Sequence, residues 1–476
     1  MFYKQLPSEE YKFYFLFYLA FTFCFAMLMP FSYGDLAIWI SEGRQIFAQR
    51  TVYIHDVYSF NPTVQMPYPW LSCVFYYFID SIFGIKTIFF IHRLIPVAIV
   101  YFWLSRYPHL LKKRNWPILV VSLSGLSGLF VDRPALLLLP VVIYTYELIE
   151  SEEIFKNNFK IFLLLILWTN LHGSFVLFFM LLFFKLLTAL SKKIFTTHFG
   201  TIALYISATL VNPWFFHIYD YVYQTAQLSK IRMTEWQPIS FYEENKISFD
   251  SIAFSLSVMA LVSVCLYRRK LHNLFRSSIT ILIIFAFNAF RNLPLFFGTL
   301  PLFYGRCFLN GQPFQASIQK RNIFKFLLNR LFIFLLIAIG FFFFSDLGSS
   351  ARMSLPRRYS SKYDETSCFK IAEYLKSFQS KRIFNEWILG SFLIYTQDNK
   401  VFSDTRNIIY SDSVMNDYTR IVKNSDNVAL KLLKKYSADF VIARSDRLPL
   451  LQALSSSPDW TFILDDSGYR LFQRIF

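Results

Sequence analysis

Repeated runs of apolar residues constrain this chain more than any other feature of its sequence. A helix needs about 20 apolar residues to span a bilayer, within a range of about 17–25. Clear runs occupy 11–31, 86–105, 134–149, 173–190, 250–267, 274–290 and 323–345, and shorter ones occupy 117–131, 159–171, 198–212 and 293–309. The 476 residues are 55% hydrophobic and 17% charged, whereas soluble proteins are about 45–50% apolar and about 25% charged. The sequence excludes a soluble globular enzyme and a disordered chain, and it predicts an α-helical polytopic membrane protein with about eleven transmembrane helices.

The positive charge of the chain lies mostly between these runs. Of 48 basic and 31 acidic residues, 19 and 15 respectively lie from residue 346 onward, so most of the net charge of +17 belongs to the apolar part. Segment 71–83, which contains Asp80, either spans the membrane or lies at its interface. In the second case, which we adopt, every strong basic cluster falls on one side, and the positive-inside rule makes that side cytoplasmic. The charge is then a topology signal and not a nucleic-acid surface.

This orientation places the N-terminus in the cytoplasm and collects several polar segments on the outer face. They are 32–70, 132–133, 170–173, 212–247, 291–292 and the residues after 345. Charges at the edge of a membrane are costly, so they are candidates for function.

The first outer loop, residues 32–85, contains the acidic candidates. The pattern from Leu36 to Phe47 is amphipathic and suits a helix that lies in the membrane interface. Asp35 comes just before it, where its carboxylate either caps the helix or acts on a lipid-borne substrate. Asp56 lies among Pro and Asn residues and also suits an ordinary turn.

Two arginines follow or precede apolar runs on the outer face. Arg133 and Arg291 each suit a phosphate ligand, because the guanidinium fork matches two oxygens. Each equally suits an arginine that snorkels to the interface.

The remaining candidates are polar residues among apolar or aromatic ones. Asn170 and His172 belong to a TNLHGS patch inside an apolar stretch, for which we favour function over a purely structural role. The loop 212–247, with Glu235 and Trp236, suits a sugar platform or an interfacial aromatic belt.

The composition of the tail changes to that of a soluble domain. Residues 346–366 read as a linker, and 367–476 alternate strand-like and helix-like segments, which predicts a small α/β domain with a partly parallel sheet. Asp404 and Arg406 end a predicted strand and suit either a site or a structural ion pair. The predicted membrane domain is 1–345.

Short motifs in a fixed order resemble bacterial membrane glycosyltransferases of the GT-C superfamily, the class that includes protein mannosyltransferases and aminoarabinose transferases. The motifs are GDLAIWISEGRQIF, HDVYSF, DRP, LWTNLHGSF, NPW, EWQP and RNLPLF, followed in the tail by NEWILG and FSDTR. The resemblance implies a transmembrane core, a long first outer loop and an outer C-terminal domain. It departs from several GT-C families in one place, since Leu36 follows Asp35 where a second acidic residue is typical.

The resemblance also implies transfer of a sugar from a polyprenyl-phosphate donor to an acceptor on the outer face, with inversion. Asp35 matches the catalytic base, and Asp56 is the second acidic position. The donor phosphate falls to Arg133, His172 and Arg291. Substrate contacts fall to Glu42, Trp70, Asn170, Glu235, Trp236 and Asn292. No cofactor is required and no metal ligand is predicted, although a divalent metal is compatible with the chemistry.

Two other functions fit the same sequence. One is a transporter or flippase for a lipid-linked saccharide, and the other is a non-catalytic scaffold in a cell-envelope assembly. No internal inverted repeat is visible, which disfavours the transporter. For all three we expect a multi-pass protein of the bacterial inner membrane with its C-terminal domain outside the cytoplasm, and the acceptor can be a lipid, a glycan or a protein.

Overall fold

The protein is described from a computed structural model. The structure describes residues 9–28, 33–60, 64–65, 67–126, 134–188, 192–232, 236–238, 242–243, 246–247, 249–309, 368–397, 399–406, 409–424 and 428–475. Two compact units are present, which we name by their content. The helical unit comprises 1–30, 86–218 and 233–355, and the sheet unit comprises 31–85, 219–232 and 356–476.

Helices dominate the first part of the chain. They are α1 (Glu9–Leu28), α2 (Gly34–Gln49), α3 (Trp70–Phe83), α4 (Ile85–Arg106), α5 (Trp116–Leu126), α6 (Pro134–Glu150), α7 (Asn158–Leu171), α8 (Val176–Thr188), α9 (Lys192–Thr209), α10 (His217–Arg232), α11 (Phe249–Tyr267), α12 (Leu271–Arg276), α13 (Ile279–Asn288) and α14 (Leu293–Tyr304). Two short hairpins accompany them, β1 (Ile54–His55) with β2 (Val64–Gln65) and β3 (Tyr242–Glu243) with β4 (Lys246–Ile247).

The predicted apolar runs form helices wherever the structure describes them, and the run 323–345 lies outside the described residues. By length and composition, one described helix, α4, is long and apolar enough to cross a bilayer unaided. The predicted number of about eleven spans therefore stays a prediction. Helix α3 has 14 residues, fewer than the roughly 20 that a span needs. Its Asp80 accepts a hydrogen bond from Tyr395 of the tail at 3.0 Å, within the sheet unit.

Buried carboxylates at the end of α6 connect the helices of the helical unit. Glu147 accepts hydrogen bonds from Arg106 and Tyr107 at the end of α4, at 2.8 and 3.0 Å, and forms an ion pair with Arg306 at 2.8 Å. Glu150 binds Lys185 of α8 at 3.2 Å. Since these carboxylates are almost fully buried, the cations are needed to offset their desolvation.

The tail forms a five-stranded sheet between helices, as the alternating pattern predicts. Its elements are α15 (Phe369–Leu375), β5 (Arg382–Asn385), α16 (Gly390–Thr396), β6 (Lys400–Val401), α17 (Asp412–Lys423), α18 (Ala429–Lys435), β7 (Phe440–Arg444), α19 (Leu448–Ser456), β8 (Trp460–Asp466) and β9 (Tyr469–Arg474). The strand order is β6-β5-β7-β9-β8. Strand β5 runs parallel to β6 and β7, whereas β9 runs antiparallel to β7 and β8.

Alternating side chains of this sheet build two cores. Phe440 and Ile442 of β7 join one hydrophobic cluster, and Val441 and Ala443 join the other. This period of two is the pattern of a strand buried on both faces. Strand β6 is shorter than its FSDTR continuation suggested, because the Asp404 carboxylate accepts the Arg406 backbone N–H at 2.8 Å and turns the chain. Helix α17, which the sequence pattern did not reveal, is capped by Ser411.

The first loop is part of the sheet unit, so the structure divides the chain differently from the sequence-based boundaries. The predicted linker 346–366 lies outside the described residues. The carbonyl of Tyr58 accepts the backbone N–H of Val401 at 2.8 Å, and the backbone N–H of Phe60 donates to the carbonyl of Val401 at 3.3 Å. Residues 58–60 therefore extend the sheet beyond β6 and protect its edge.

Helix α2 is the amphipathic helix that the sequence predicted, but it is buried and does not lie exposed along an interface. It packs against α3 and α16, and its Leu36, Ile38 and Ile40 are almost inaccessible. The amphipathic pattern identified the helix correctly, yet an apolar stripe looks the same whether it faces lipid or a protein core.

We predict that Gly43→Ala destabilises the sheet unit, because α2 and α3 meet at Gly43. An added Cβ would lie 2.1 Å from the carbonyl oxygen of Cys73. Overpacking of this kind costs about 1–3 kcal/mol. Thermal unfolding of the purified protein in detergent measures the loss, with Gly200→Ala as control, since an added Cβ at Gly200 meets nothing within 4 Å. Equal unfolding temperatures for the two variants would refute the packing described.

Candidate functional site

A buried guanidinium, that of Arg406, joins the tail to the first loop inside the sheet unit. Its Nε and Nη2 donate to the two oxygens of Asp404, at 2.9 and 2.6 Å. Its Nη1 reaches Asp56 at 3.3 Å, and its Nη2 reaches the Ser59 hydroxyl at 3.3 Å. The bidentate pair fixes the orientation of the guanidinium, so that its remaining donors are directed at the first loop.

Local turns place the acceptors around this guanidinium. Asp56 Oδ1 also accepts the backbone N–H of Tyr58 at 2.9 Å, which makes a short side-chain turn. The Tyr410 hydroxyl donates to Asp404 at 2.5 Å and lies 3.3 Å from the hydroxyl of Ser59. Each charged group is therefore held by its own backbone or by a neighbour, and the cluster is rigid.

Glu42 of α2 completes the cluster. One of its carboxylate oxygens lies 3.9 Å from Arg406 Nη1, and the other lies 3.8 Å from the Cys73 thiol. Burial raises the pKa of Glu42 to about 8, although the positive charge of Arg406 acts against the shift. Desolvation dominates here because Glu42 is only 2% exposed.

The cluster holds more negative than positive groups. Three carboxylates, those of Glu42, Asp56 and Asp404, face one guanidinium, and Asp56 Oδ2 has no hydrogen-bond partner among the described residues. A proton on Glu42 reduces this imbalance, which agrees with its raised pKa. The described residues contain no group of three or more His, Cys, Asp or Glu side chains that suits a metal ion. Arg406 also occupies the space between the carboxylates, so this cluster does not fit a divalent cation.

The predicted acidic and aromatic residues of the first loop all lie in the sheet unit. Asp35 lies in the first turn of α2, half-buried, while Tyr33 occupies the cap position. The interpretation of Asp35 as an N-cap is therefore wrong. Asp35 precedes Glu42 by seven residues, so the two lie on one face of the helix, about 10 Å apart along its axis. Trp70 begins α3 and packs against a small apolar cluster that includes Ile46.

Asn170 and His172 take part in hydrogen bonds that shape the end of α7 in the helical unit. Asn170 donates to the carbonyl of Val211 at 2.8 Å and so joins the ends of α7 and α9. His172 Nδ1 accepts the backbone N–H of Ser174 at 3.0 Å, which begins the next helical turn. These contacts explain why polar residues occur inside an apolar stretch.

Arg291 and Trp236 lie together in the helical unit. The Arg291 guanidinium carbon is 4.4 Å from the centre of the Trp236 ring, a cation–π contact. Asn292 donates to the carbonyl of Phe285 at 3.1 Å. Arg133 and Glu235 lie outside the described residues.

Sequence reasoning names Glu42, Asp56, Asp404 and Arg406 separately but does not predict that they form one cluster. The pattern marks Asp404 and Arg406 only as a site or an ion pair, and it gives no signal for Cys73. The useful signal is the Asp-x-Arg spacing after a strand. Arg93, a fully buried arginine in α4, is also missed, although a charge inside an apolar run marks a functional candidate.

We predict that Glu42 makes the sheet unit less stable as the pH rises. Its pKa is raised above that of an unfolded glutamate, so between about pH 5 and 8 the folded state binds the extra proton and stability falls with increasing pH. Glu42→Gln mimics the protonated form and should flatten this part of the stability curve, measured by denaturant unfolding from pH 5 to 8. Glu373→Gln, at a side chain 75% exposed, is the matched control. A curve for Glu42→Gln that falls as steeply as the wild-type curve would contradict the assignment.

No protein-family model matches the chain, and no curated protein matches it in sequence. Among solved structures, the Archaeoglobus fulgidus oligosaccharyltransferase tethered to an acceptor peptide superposes with a TM-score of 0.52 at 10% identity, over 98% of this chain and 75% of that one. Two further structures from that archaeon are similar in coverage. The oligosaccharyltransferase AglB with an inhibitory peptide and a dolichol-phosphate gives a TM-score of 0.37 at 12% identity, over 98% and 74% of the two chains. The apo oligosaccharyltransferase gives 0.35 at 12% identity, over 95% and 74%.

Only the first superposition shows a common fold. At 10% identity this superposition shows the fold alone, so the resemblance to GT-C glycosyltransferases, including the bacterial mannosyltransferases and aminoarabinose transferases, remains a prediction. The chain shares the fold of an archaeal oligosaccharyltransferase.

Proposed function

We propose that the protein is an inverting membrane glycosyltransferase that transfers a sugar from a polyprenyl-phosphate donor to an acceptor on the outer face of the bacterial inner membrane. The observation that carries this proposal is the fold, which matches an oligosaccharyltransferase over 98% of this chain. That oligosaccharyltransferase is tethered to an acceptor peptide, which supports the binding of an acceptor to a chain of this fold.

The chemistry requires one base and a site for the leaving phosphate. A carboxylate removes the proton of an acceptor hydroxyl, and the oxygen attacks the anomeric carbon. The bond from that carbon to the phosphate oxygen breaks, and polyprenyl phosphate leaves with the electron pair. Attack opposite the leaving group inverts the configuration of the sugar.

We place the base on Asp35. It is half-buried in the first turn of α2, where the helix N-terminus stabilises its negative charge. Asp56 is less suited, because it is 1% exposed and already binds Arg406. An acceptor hydroxyl cannot reach a carboxylate enclosed in this way, so Asp56 serves to hold the loop.

We assign the leaving phosphate to Arg133, His172 and Arg291. Arg291 is only partly buried and stacks on Trp236, and the planar guanidinium fork matches two phosphate oxygens. Trp236 and Trp70 supply aromatic surface for the sugar, and Asn170, Glu235 and Asn292 are the remaining assigned contacts. Glu42 is 2% exposed inside the ion cluster, so it holds the loop as Asp56 does. No step of this scheme passes through a metal ion.

Asp35→Asn should abolish glycan transfer, with a fall of about 10²–10⁴-fold, because loss of a general base has this effect. Transfer is measured in membranes from a strain lacking the chromosomal copy, and surface glycans and lipids are compared by mass spectrometry. Asp459→Asn changes an exposed carboxylate and should leave transfer unchanged. If Asp35→Asn transfers glycan at the wild-type rate while expressing normally, the assignment of the base is wrong.

Arg291→Lys should weaken donor binding by about 10-fold, since lysine keeps the charge but loses the bidentate fork. The donor KM reports this change, while the acceptor KM should stay constant. Arg276→Lys, at an exposed arginine that ends α12, is the control. An unchanged donor KM would remove Arg291 from the phosphate site.

A further inference from the structure

The proposed reaction places the base in the first loop and assigns no role to the residues of the tail domain. Within the sheet unit the two are joined by the packing of α2 against α16, by the hydrogen bond from Tyr395 to Asp80, and at two places near residues 56–60. One is the pair of backbone hydrogen bonds between residues 58–60 and Val401. The other is the ion cluster around Arg406, whose partners on the loop side lie about 350 positions earlier in the chain.

We propose that Arg406 is a positioning residue for the transfer reaction: it holds helix α2 and loop residues 56–60 against the tail, so that Asp35 is fixed in place for the acceptor. This inference rests on the proposed function. It assigns to the Asp-x-Arg turn of the tail a role in the geometry of the catalytic base.

A connected series of contacts links the tail to helix α2, which carries the proposed base Asp35. Tyr410 holds Asp404 at 2.5 Å, and Asp404 fixes the guanidinium by two hydrogen bonds. The guanidinium then holds Asp56 and Ser59, each at 3.3 Å. Its Nη1 also lies 3.9 Å from Glu42, which belongs to the same helix as Asp35. A rigid α-helix transmits the position of Glu42 to Asp35, two turns away.

Removal of the guanidinium would leave like charges facing one another. The titratable groups that face it are Asp404 and Tyr410 from its own segment, Asp56 and Tyr58 from the loop, Glu42 from α2 and Tyr221 from α10, with Cys73 of α3 beside Glu42. Without Arg406, three carboxylates lack a counter-ion in a site closed to water. We expect the loop to leave the tail, because the loop-side carboxylates regain water only in that way.

The test compares Arg406→Gln and Arg406→Lys with wild type in the full chain. Hydrogen–deuterium exchange of the peptide covering 54–60 reports loop docking, and the peptide covering 440–474 reports the sheet core. We expect Arg406→Gln to raise exchange of 54–60 at least 10-fold with no change in 440–474. Arg406→Lys should be intermediate, since lysine restores the charge but not the fork.

Measurement of kcat and KM distinguishes a positioning role of Arg406 from a role in stability alone. In Arg406→Gln we expect kcat to fall 10- to 100-fold, with both KM values within threefold of wild type. Lowering the pH from 8 to 6 should partly restore protection of 54–60 in this variant, because protonation of a facing carboxylate relieves the repulsion. Wild type, which keeps its counter-ion, should show only the smaller gain in protection that follows from protonation of Glu42.

Asp56→Ala is the second variant, in case Arg406→Gln disrupts the tail itself. It removes a loop-side partner and leaves the Arg406–Asp404 pair intact, so exchange should rise in 54–60 alone. Unchanged exchange of 54–60 in both Arg406→Gln and Asp56→Ala would overturn the proposal, as would an unchanged kcat for a variant whose loop is released. If wild type transfers no glycan, the proposed function fails and the positioning role fails with it, and the exchange data then identify a purely structural clamp.

Discussion

Burial of the Arg406 guanidinium is the constraint on which the sheet unit depends. A charge that is almost removed from water must be matched by acceptors that surround it. Asp404 supplies two of them from the tail, and Asp56 and Ser59 supply the rest from the first loop. Neither segment satisfies the guanidinium alone. The electrostatic requirement therefore joins two parts of the chain that are far apart in sequence, and it acts together with the apolar packing of α2 against α16.

The contact between the first loop and the tail divides the acidic residues of the loop into two groups, one that holds the loop and one that is available for chemistry. The acidic residues of the first loop are all candidates for catalysis or substrate binding, but the structure encloses Asp56 and Glu42 in the ion cluster and leaves Asp35 half-buried at the start of α2. Enclosed carboxylates hold the loop, and only a carboxylate that an acceptor hydroxyl can reach is able to act as the proposed base. The proposed transfer reaction needs both groups, because the base must be accessible and the loop that carries it must be held in place.

Sequence patterns predicted the helices and strands better than the contacts that these elements make with one another. The apolar runs formed helices, and alternation in the tail gave strands such as Phe440–Arg444, because local periodicity determines both. The burial of α2 was not predictable, since an apolar stripe does not reveal whether lipid or protein covers it. The cluster was not predictable either, because its formation depends on how residues 58–60 pair with Val401, a tertiary register that no local pattern encodes. Asn170 and His172 form hydrogen bonds that shape a helix end, and their roles toward the substrate remain predictions.

The proposed cleavage and transfer of a lipid-linked sugar is the central claim, and product analysis of the purified protein in liposomes tests it. A polyprenyl-phosphate sugar is supplied with candidate acceptors, and the lipid and glycan products are identified by mass spectrometry and by the anomeric configuration of the product. We predict that free polyprenyl phosphate appears in equal amount with a glycosylated acceptor of inverted configuration. Recovery of an intact lipid-linked sugar on the opposite leaflet, or of intact donor alone with every acceptor class, would contradict this prediction.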